Sequence, residues 1–415
     1  MELPKYSMGI GDRFGHQGKA QLQALLKARQ AGAAIAPVWN KSHREHTIIG
    51  TGPADTRAEA DAAVAALGWD ELYFVDADHI NLKNVEAFIG PSDFFTIDVA
   101  DYIGQRASDA DIRVFVEGHK RYLGTLRIEG IEEGFEITEA VVEEIAGKYL
   151  WAVQEAGKIY RHIEQAKGTG RFITEVSTDE AEVPQTPIEL FFILAAIGRE
   201  GIPVQTIAPK FTGRFNKGVD YVGAVDQFSR EFDQDVAVIA AAVREFSLPT
   251  NLKLSVHSGS DKFSIYGPIH ETLKKYDTGV HLKTAGTTWL EELIGLAMAG
   301  GDGLALAKEV YRKALGKFDE LCRPYATVID IDQSALPTSE EVDGWDERTF
   351  AETLRHDPTS PRYNLHFRQL LHVGYKIAAQ MGQRYLDALK KHEAVIAENV
   401  TENIYDRHMK PLFFG

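Results

Sequence analysis

Residues 252–261 read LKLSVHSGSD. Leu252, Leu254 and Val256 alternate as in a strand, and the run then delivers His257 into a small glycine-containing turn that closes on Asp261. A strand that ends in a histidine, two serines, a glycine and an acid has stopped burying surface and begun presenting polar atoms. For one histidine the plain alternative is a loop side chain that caps local backbone. The same kind of ending recurs along the chain, and the recurrence is what decides the fold.

Working outward, short apolar segments at 6–10, 34–38, 72–75, 94–97, 172–176, 204–208, 252–256 and 279–282 are separated by helical patterns. Most are continuous runs rather than half-polar alternations, as expected of strands covered on both faces. The helical patterns carry their own punctuation. Thr138 opens a long one running to about Gln165, with acids early and bases late. Thr186-Pro187-Ile188-Glu189 is a capping box with proline at the first helical position, and Gly201 stops that helix. The order is interrupted once, where Val114–Val116 and Tyr122–Ile128 read as two strands around EGHKRY, a hairpin inserted at about 110–137. These spacings predict an α/β fold, a TIM (β/α)8 barrel over 1–302 with an inserted β-hairpin, followed by a mostly helical C-terminal extension over 303–415. That extension contains an acidic, proline-containing link at about 330–361 and a helical run at 367–392. An open doubly wound sheet is the alternative, but GIGDRFG lacks the spacing of a dinucleotide fingerprint.

Composition narrows the function. A chain of 415 residues that is 44% hydrophobic can bury a large core, and a net charge of −16 disfavours a nucleic-acid partner, whose phosphates the average field repels. An anionic small substrate remains compatible if basic residues converge locally. The single Cys322 excludes an internal disulfide framework and a thiolate zinc cluster. No basic-then-apolar leader and no apolar run of membrane-spanning length are present, so the expectation is a cytoplasmic protein with no membrane partner. The oligomeric state is left open, and a homo-oligomer is compatible with everything above.

In a barrel, chemistry collects where the strands end at their C-terminal side. The residues delivered there are Asp12 and Arg13, then Asp76, Asp78 and His79, Glu117, His119 and Lys120 from the insertion, Glu175 and Asp179, Lys210 and Arg214, His257 and Asp261, and His281 and Lys283. Histidines and acids from separate strands suit a divalent ion with an open coordination position. Alternation along GVHLK turns His281 into the barrel wall as easily as to the mouth. Asp179, Glu180 and Glu182 read as a solvated acidic rim. Lys210, Arg214 and Lys217, spread over a glycine-containing loop, read as a carboxylate clamp. The stretch YNLHFRQLLHVGYK (363–376) reads either as a packed helix or as a contributor to the mouth.

GDRFGHQGKAQLQA, YFVDADHINL, VFVEGHKRY, EVSTDEAEVPQTPIEL, APKFTGRFNKGVDYVG, LSVHSGSDKFSIYGP and HLKTAGTTWLEE together resemble the tagaturonate epimerase family, over nearly the whole chain. The resemblance implies a metal-dependent enzyme of hexuronate breakdown that interconverts the ketouronates tagaturonate and fructuronate. These differ at carbon 3 while the ketone is at carbon 5, so removing the carbon 3 hydrogen gives no stabilised enolate. Retro-aldol cleavage between carbons 3 and 4, rotation of the aldehyde and re-addition is the route left without a nicotinamide. A second likeness, of Asp78-His79 and the HSGS turn to class II aldolases, suggests His79 and His257 as ligands of Zn, Mn, Co or Ni. It also suggests Asp78 as acid/base and His281 or Glu175 completing the shell, with Glu117 and His119 as competing acid/base residues. Lys210 and Arg214 would grip the carboxylate, and Lys120, Lys262 and Lys283 the hydroxyls. A metal-dependent aldolase or lyase and a noncatalytic sugar-acid binding barrel are the other readings.

Overall fold

The computed structural model describes residues 1–257, 261–283 and 288–415. The serine–glycine turn after His257 and the centre of KTAGTTW lie outside the described residues. Eight parallel strands close into a barrel: β1 (Tyr6–Ile10), β2 (Ile35–Ser42), β3 (Phe74–Ile80), β4 (Phe94–Asp98), β7 (Ile173–Ser177), β8 (Thr206–Ala208), β9 (Lys253–His257) and β10 (Val280–Lys283). The order around the barrel is β1-β10-β9-β8-β7-β4-β3-β2, with β1 pairing β10 to close it. The TIM architecture expected from the sequence is therefore the observed one. Helices capped as anticipated cover it. Thr138 accepts the Val141 N–H at the start of Glu139–Lys167, and the Thr186 box with Glu189 opens Pro187–Glu200, which Gly201 ends at φ 69°.

The barrel interior is layered. Leu3, Ala36, Val38, Phe74, Phe94 and Ile173 form a small apolar cluster of their own inside it, separate from the main core under the helices. Two residues on, the same inward register carries Asn40, Asp76, Thr96 and Glu175. The strands therefore change from an apolar floor to a polar upper layer as they approach the mouth, because alternate residues face inward and every strand is in parallel register.

That polar layer explains a difference from expectation. β2 and β3 were predicted to stop at Val38 and Val75 but run on to Ser42 and Ile80. Hydrogen bonding in a closed barrel holds polar residues in strand geometry that hydrophobic patterning does not register. The insertion also differs. Val114–Val116 lies in a helix, Asp109–Gly118, and the hairpin comes later, pairing β5 (Gly124–Leu126) with β6 (Phe135–Ile137). Ser108 caps that helix by accepting the Asp111 N–H, acids occupy its first turn, and Ile112 and Phe115 bury at i,i+3 spacing while Val114 stays 55% exposed.

The C-terminal part is helical as expected, with changes in detail. The acidic link contains helices Ser339–Asp343 and Glu347–Leu354, and the run at 367–392 breaks into Leu365–Val373, Tyr375–Met381 and Gln383–Lys391 at Gly374 and Gly382. This part seats on the barrel helix Thr288–Met298. A Cβ on Gly295 would come within 2.7 Å of the Ile396 Cα, and Trp289 Nε1 donates to the Leu371 carbonyl at 2.7 Å. Among the described residues no helix is long and apolar enough to cross a membrane.

Candidate active site

The polar layer is organised by one cation. Lys283, 5% exposed at its side chain, lies 2.7 Å from both Asp76 and Asp78 and 3.6 Å from Glu175, and donates to Thr96 Oγ1 at 2.6 Å. Burial alone would lower its pKa, but the three carboxylates lift it above the ordinary lysine value, so it stays charged. Thr96 in turn donates to Asp76 and Glu175. Burial raises Asp76 against the pull of Lys283, whereas Lys283 and His79 outweigh burial at Asp78 and hold it well below the carboxylate range.

Above this layer His79, Asp179 and His257 meet, with one ligand atom from each lying within 4.8 Å of the others. His257 Nδ1 stands 3.2 Å and His79 Nε2 3.5 Å from the two oxygens of Asp179, and the two rings are 5.2 Å apart. Both of those nitrogens are buried without a hydrogen-bond partner among the described residues. The far nitrogen of each ring is fixed by a second acid, His257 Nε2 by Glu175 at 2.8 Å and His79 Nδ1 by Asp78 at 2.7 Å. An imidazole bound by a carboxylate on one side and aiming a free nitrogen on the other is the arrangement metal-ligating histidines adopt. Two nitrogens and one carboxylate oxygen also suit a borderline divalent ion. The three side chains can therefore hold a metal. Burial disfavours charge on His257, but Asp179 and Glu175 lift its pKa to about 9, and Asp78 and Asp179 likewise raise His79. The protons these rings hold are the ones a metal would displace.

His79 is aimed by the backbone. The β3–β4 register slips between Ala77 and Ile80, and His79 takes φ 53°, in the left-handed region that costs a non-glycine residue roughly 1–2 kcal/mol. Because of this bulge, Asp78 and His79 contact each other instead of pointing to opposite faces. Strict alternation along YFVDADHINL would separate them.

The structure brings together Asp78, His79, Glu175, His257 and Lys283 among the residues expected from sequence. Asp179, read as rim, belongs to the group: His257 and His79 outweigh burial and hold its carboxyl well below the usual range. Density of acids in STDEAEV hid it. The available signal was its place as the first acid past β7, where Ser177 Oγ donates to its carboxylate. His281 is elsewhere, fully buried inside the barrel with Nδ1 2.9 Å from Ser7 Oγ, and burial pushes its pKa down to about 3. The insertion residues are not at the mouth. Glu117 and Lys120 pair with each other at 2.7 Å on the exterior, and His119 Nδ1 donates to the Phe115 carbonyl of its own helix, the ring packed among Phe115, Tyr122 and Phe192. Lys210 Nζ donates to the Ala181 carbonyl, and Arg214, about half exposed, pairs with Asp330 at 3.4 Å. Lys262 is fully buried and donates to the carbonyls of Asn216 and Val219 at 2.9 and 2.7 Å, and its pKa falls to about 7 through burial.

Known proteins match over the same span. A sequence profile of the tagaturonate epimerase family matches residues 1–412. The tagaturonate/fructuronate epimerase of Thermotoga maritima is 29% identical over 425 residues, covering 97% of this chain and 80% of that protein. The native crystal structure of the fructuronate–tagaturonate epimerase from Cohnella laeviribosi superposes with a TM-score of 0.80 at 23% identity, over 99% of this chain and 82% of that one. Its form with two glycerols gives 0.80 over 99% and 81%. At that identity the structural likeness speaks for the fold, and the profile match speaks for the family. With the profile spanning all but the last few residues of a barrel whose strand ends converge on one polar mouth, the chain belongs to the tagaturonate epimerase family and is an enzyme of the isomerase class.

Proposed function

We propose that this enzyme interconverts D-tagaturonate and D-fructuronate at the mouth of the barrel, with a divalent metal held by His79, Asp179 and His257. The observation that carries the metal reading is the pair of buried, unpartnered ring nitrogens facing one carboxylate, each ring fixed from behind by an acid. When bound, the ion supplies Lewis acidity toward the ketone and neighbouring hydroxyl oxygens of the substrate. The remaining work falls to the side chains. Asp78, at the end of β3 and 2.7 Å from the Lys283 ammonium, takes the proton of the carbon 3 hydroxyl as the bond to carbon 4 breaks, and returns it after re-addition. Lys283, locked in its charged form, keeps positive charge beneath the site where negative charge develops on the substrate. Glu175 and Asp78 hold the imidazole orientations.

The test is thorough chelation followed by an assay of ketouronate turnover with product analysis. Turnover should vanish and return with manganese, cobalt, nickel or zinc, yielding intact six-carbon acids. Undiminished turnover without metal would remove the metal reading. Stoichiometric release of three-carbon fragments would instead make the enzyme an aldolase.

A further inference from the structure

We propose that Arg13, Lys217 and His372 form a carboxylate-binding corner at the rim of the mouth, which holds the acid end of the sugar-acid substrate in place of the expected Lys210 and Arg214. The proposal rests on the sugar-acid reading above and names the group that reading leaves without a partner.

Three segments meet at this corner. Arg13 follows β1; its Nε donates to Glu45 at 3.0 Å, its guanidinium lies 4.2 Å from the Tyr375 ring centroid, and its Nη1 is buried with no hydrogen-bond partner among the described residues. His372, one helical turn before Tyr375, is 2% exposed, and its Nε2 is likewise buried and unpartnered. Gly218 backs onto that imidazole: at φ 76° a Cβ there would come within 3.1 Å of the His372 Cβ. Glycine at positive φ suits such an approach, and the backbone next to it carries Lys217, whose charge acts on the imidazole. Lys262 and Arg368 pin this loop through the Asn216, Val219 and Gly218 carbonyls.

The donors left over define the ligand. Arg368 is committed to Asp261 at 2.9 Å and to backbone carbonyls, whereas Lys217 has no carboxylate partner among the described residues. Burial, reinforced by Arg13, Lys217, Arg368 and Lys262, holds His372 well below the ordinary histidine range, so it is neutral and keeps one N–H. The outer guanidinium edge of Arg13, whose inner edge Glu45 already holds, and the His372 Nε2 have no acceptor among the described residues and lie beside the Lys217 ammonium; an anion would satisfy them, and a planar carboxylate matches the guanidinium edge. The corner is also near the reaction. Glu45, the partner of Arg13, is close enough to Asp78 for the two charges to interact.

The placement has a mechanistic use. On retro-aldol cleavage the electrons of the C3–C4 bond stay on the ketone fragment as an enediolate, and the carboxylate leaves with the three-carbon aldehyde. A clamp on that carboxylate keeps the aldehyde in the mouth while it turns its other face, and the same bond then re-forms with carbon 3 inverted.

The test compares the metal-loaded wild type with Arg13→Met, Lys217→Met and the control Arg214→Met. Calorimetric titration is run with D-tagaturonate and with D-tagatose, which carries CH2OH in place of the carboxylate. Losing a charge-assisted contact should weaken binding of the acid by about tenfold or more. In Arg13→Met and Lys217→Met we expect that loss with D-tagatose affinity and metal content unchanged, and with a larger share of three-carbon aldehyde released; Arg214→Met should behave as wild type. If Arg13→Met does not fold, the half-buried Lys217→Met decides alone. Wild-type affinity for the acid in Lys217→Met, or equal weakening of acid and ketose, overturns the proposal. A wild type that prefers the acid but does not epimerise it would defeat the proposed function and leave the carboxylate corner standing. A wild type that does not distinguish acid from ketose would defeat the corner whatever its turnover.

Discussion

His257 and Asp261 lie four residues apart after the same strand, yet they serve buried clusters of different character. Asp261 has its counter-charge within the chain. Arg368 Nη2 lies 2.9 Å and His356 Nδ1 3.2 Å from one oxygen and His408 Nε2 3.1 Å from the other, and all four side chains are at most 1% exposed. Every partner comes from the C-terminal extension, so this carboxylate fastens that extension to the barrel. Burial opposes its charge, but Arg368, His356 and His408 hold it well below the usual carboxylate range. At the mouth, Asp179 has two imidazoles at 3.2 and 3.5 Å and neither an ammonium nor a guanidinium on it among the described residues. One cluster carries its cation in the chain, and the other holds donor atoms that could take a cation from outside. The difference teaches that a cation site is recognised by a buried carboxylate to which the chain brings no lysine or arginine of its own, more than by how many acids and histidines gather there.

The comparison breaks most sharply by variant. His257→Ala should abolish metal retention and lower turnover by on the order of a thousandfold, the equivalent of several kcal/mol of lost Lewis-acid stabilisation, while the fold survives. Elemental analysis beside circular dichroism checks this, and tight metal binding in the variant would sink the ligand assignment. Arg368→Met should do the opposite. Leaving Asp261 without its guanidinium should cost about 3–5 kcal/mol of stability, seen as a lower urea midpoint, with metal content per folded molecule unchanged.

A third buried carboxyl sharpens the contrast by pH. Glu292, fully buried on the Thr288–Met298 helix, has no ion-pair partner among the described residues; burial, with Asp12 alongside, raises its pKa well above the ordinary 4.5. A carboxyl raised in the folded state contributes stability that is fully present below its unfolded pKa and is lost as pH rises through the folded one. Glu292→Gln, which mimics the protonated form, should therefore flatten the decline of the urea midpoint between pH 5 and pH 8. A wild-type slope retained in the variant would assign the decline to other groups. The smallest effect is expected at the insertion. Glu117→Gln and Lys120→Met remove only exposed ion pairs, with Glu139 at 3.5 Å the second partner of Lys120, worth about 0–1 kcal/mol each, and should leave turnover within about twofold of wild type. A loss of a hundredfold would return the insertion to the site.

Much of the site was legible because barrel topology converts strand ends into neighbours. Once 252–261 was read as one of eight such endings, Asp78, His79, Glu175, His257 and Lys283 followed as residues sharing one mouth. What escaped reading depended on backbone irregularity and on competition for partners. Asp179 looked like one more acid of a solvated rim until its distance to two histidines was known. His281 and Lys283 sit on the same inward face of β10, and only depth separates a histidine hydrogen-bonded to Ser7 from a lysine in the acid layer. His119 fitted a mouth pattern because IRVFVEGH alternates, although the capped helix it ends lies on the wall.

The sequence by itself determined the barrel, the covering helices and the set of polar residues offered to the mouth. Apolar periodicity, helix caps and turn residues are local properties, and parallel strands joined by helices have few ways to close. The tertiary structure alone decided which of those residues meet. The bulge that turns Asp78 and His79 toward each other, the acid behind each imidazole and the commitments that occupy Lys210, Lys262 and Arg368 all arise between segments far apart in the chain. Their energies depend on burial and on which partner arrives first, quantities that no single stretch of sequence contains.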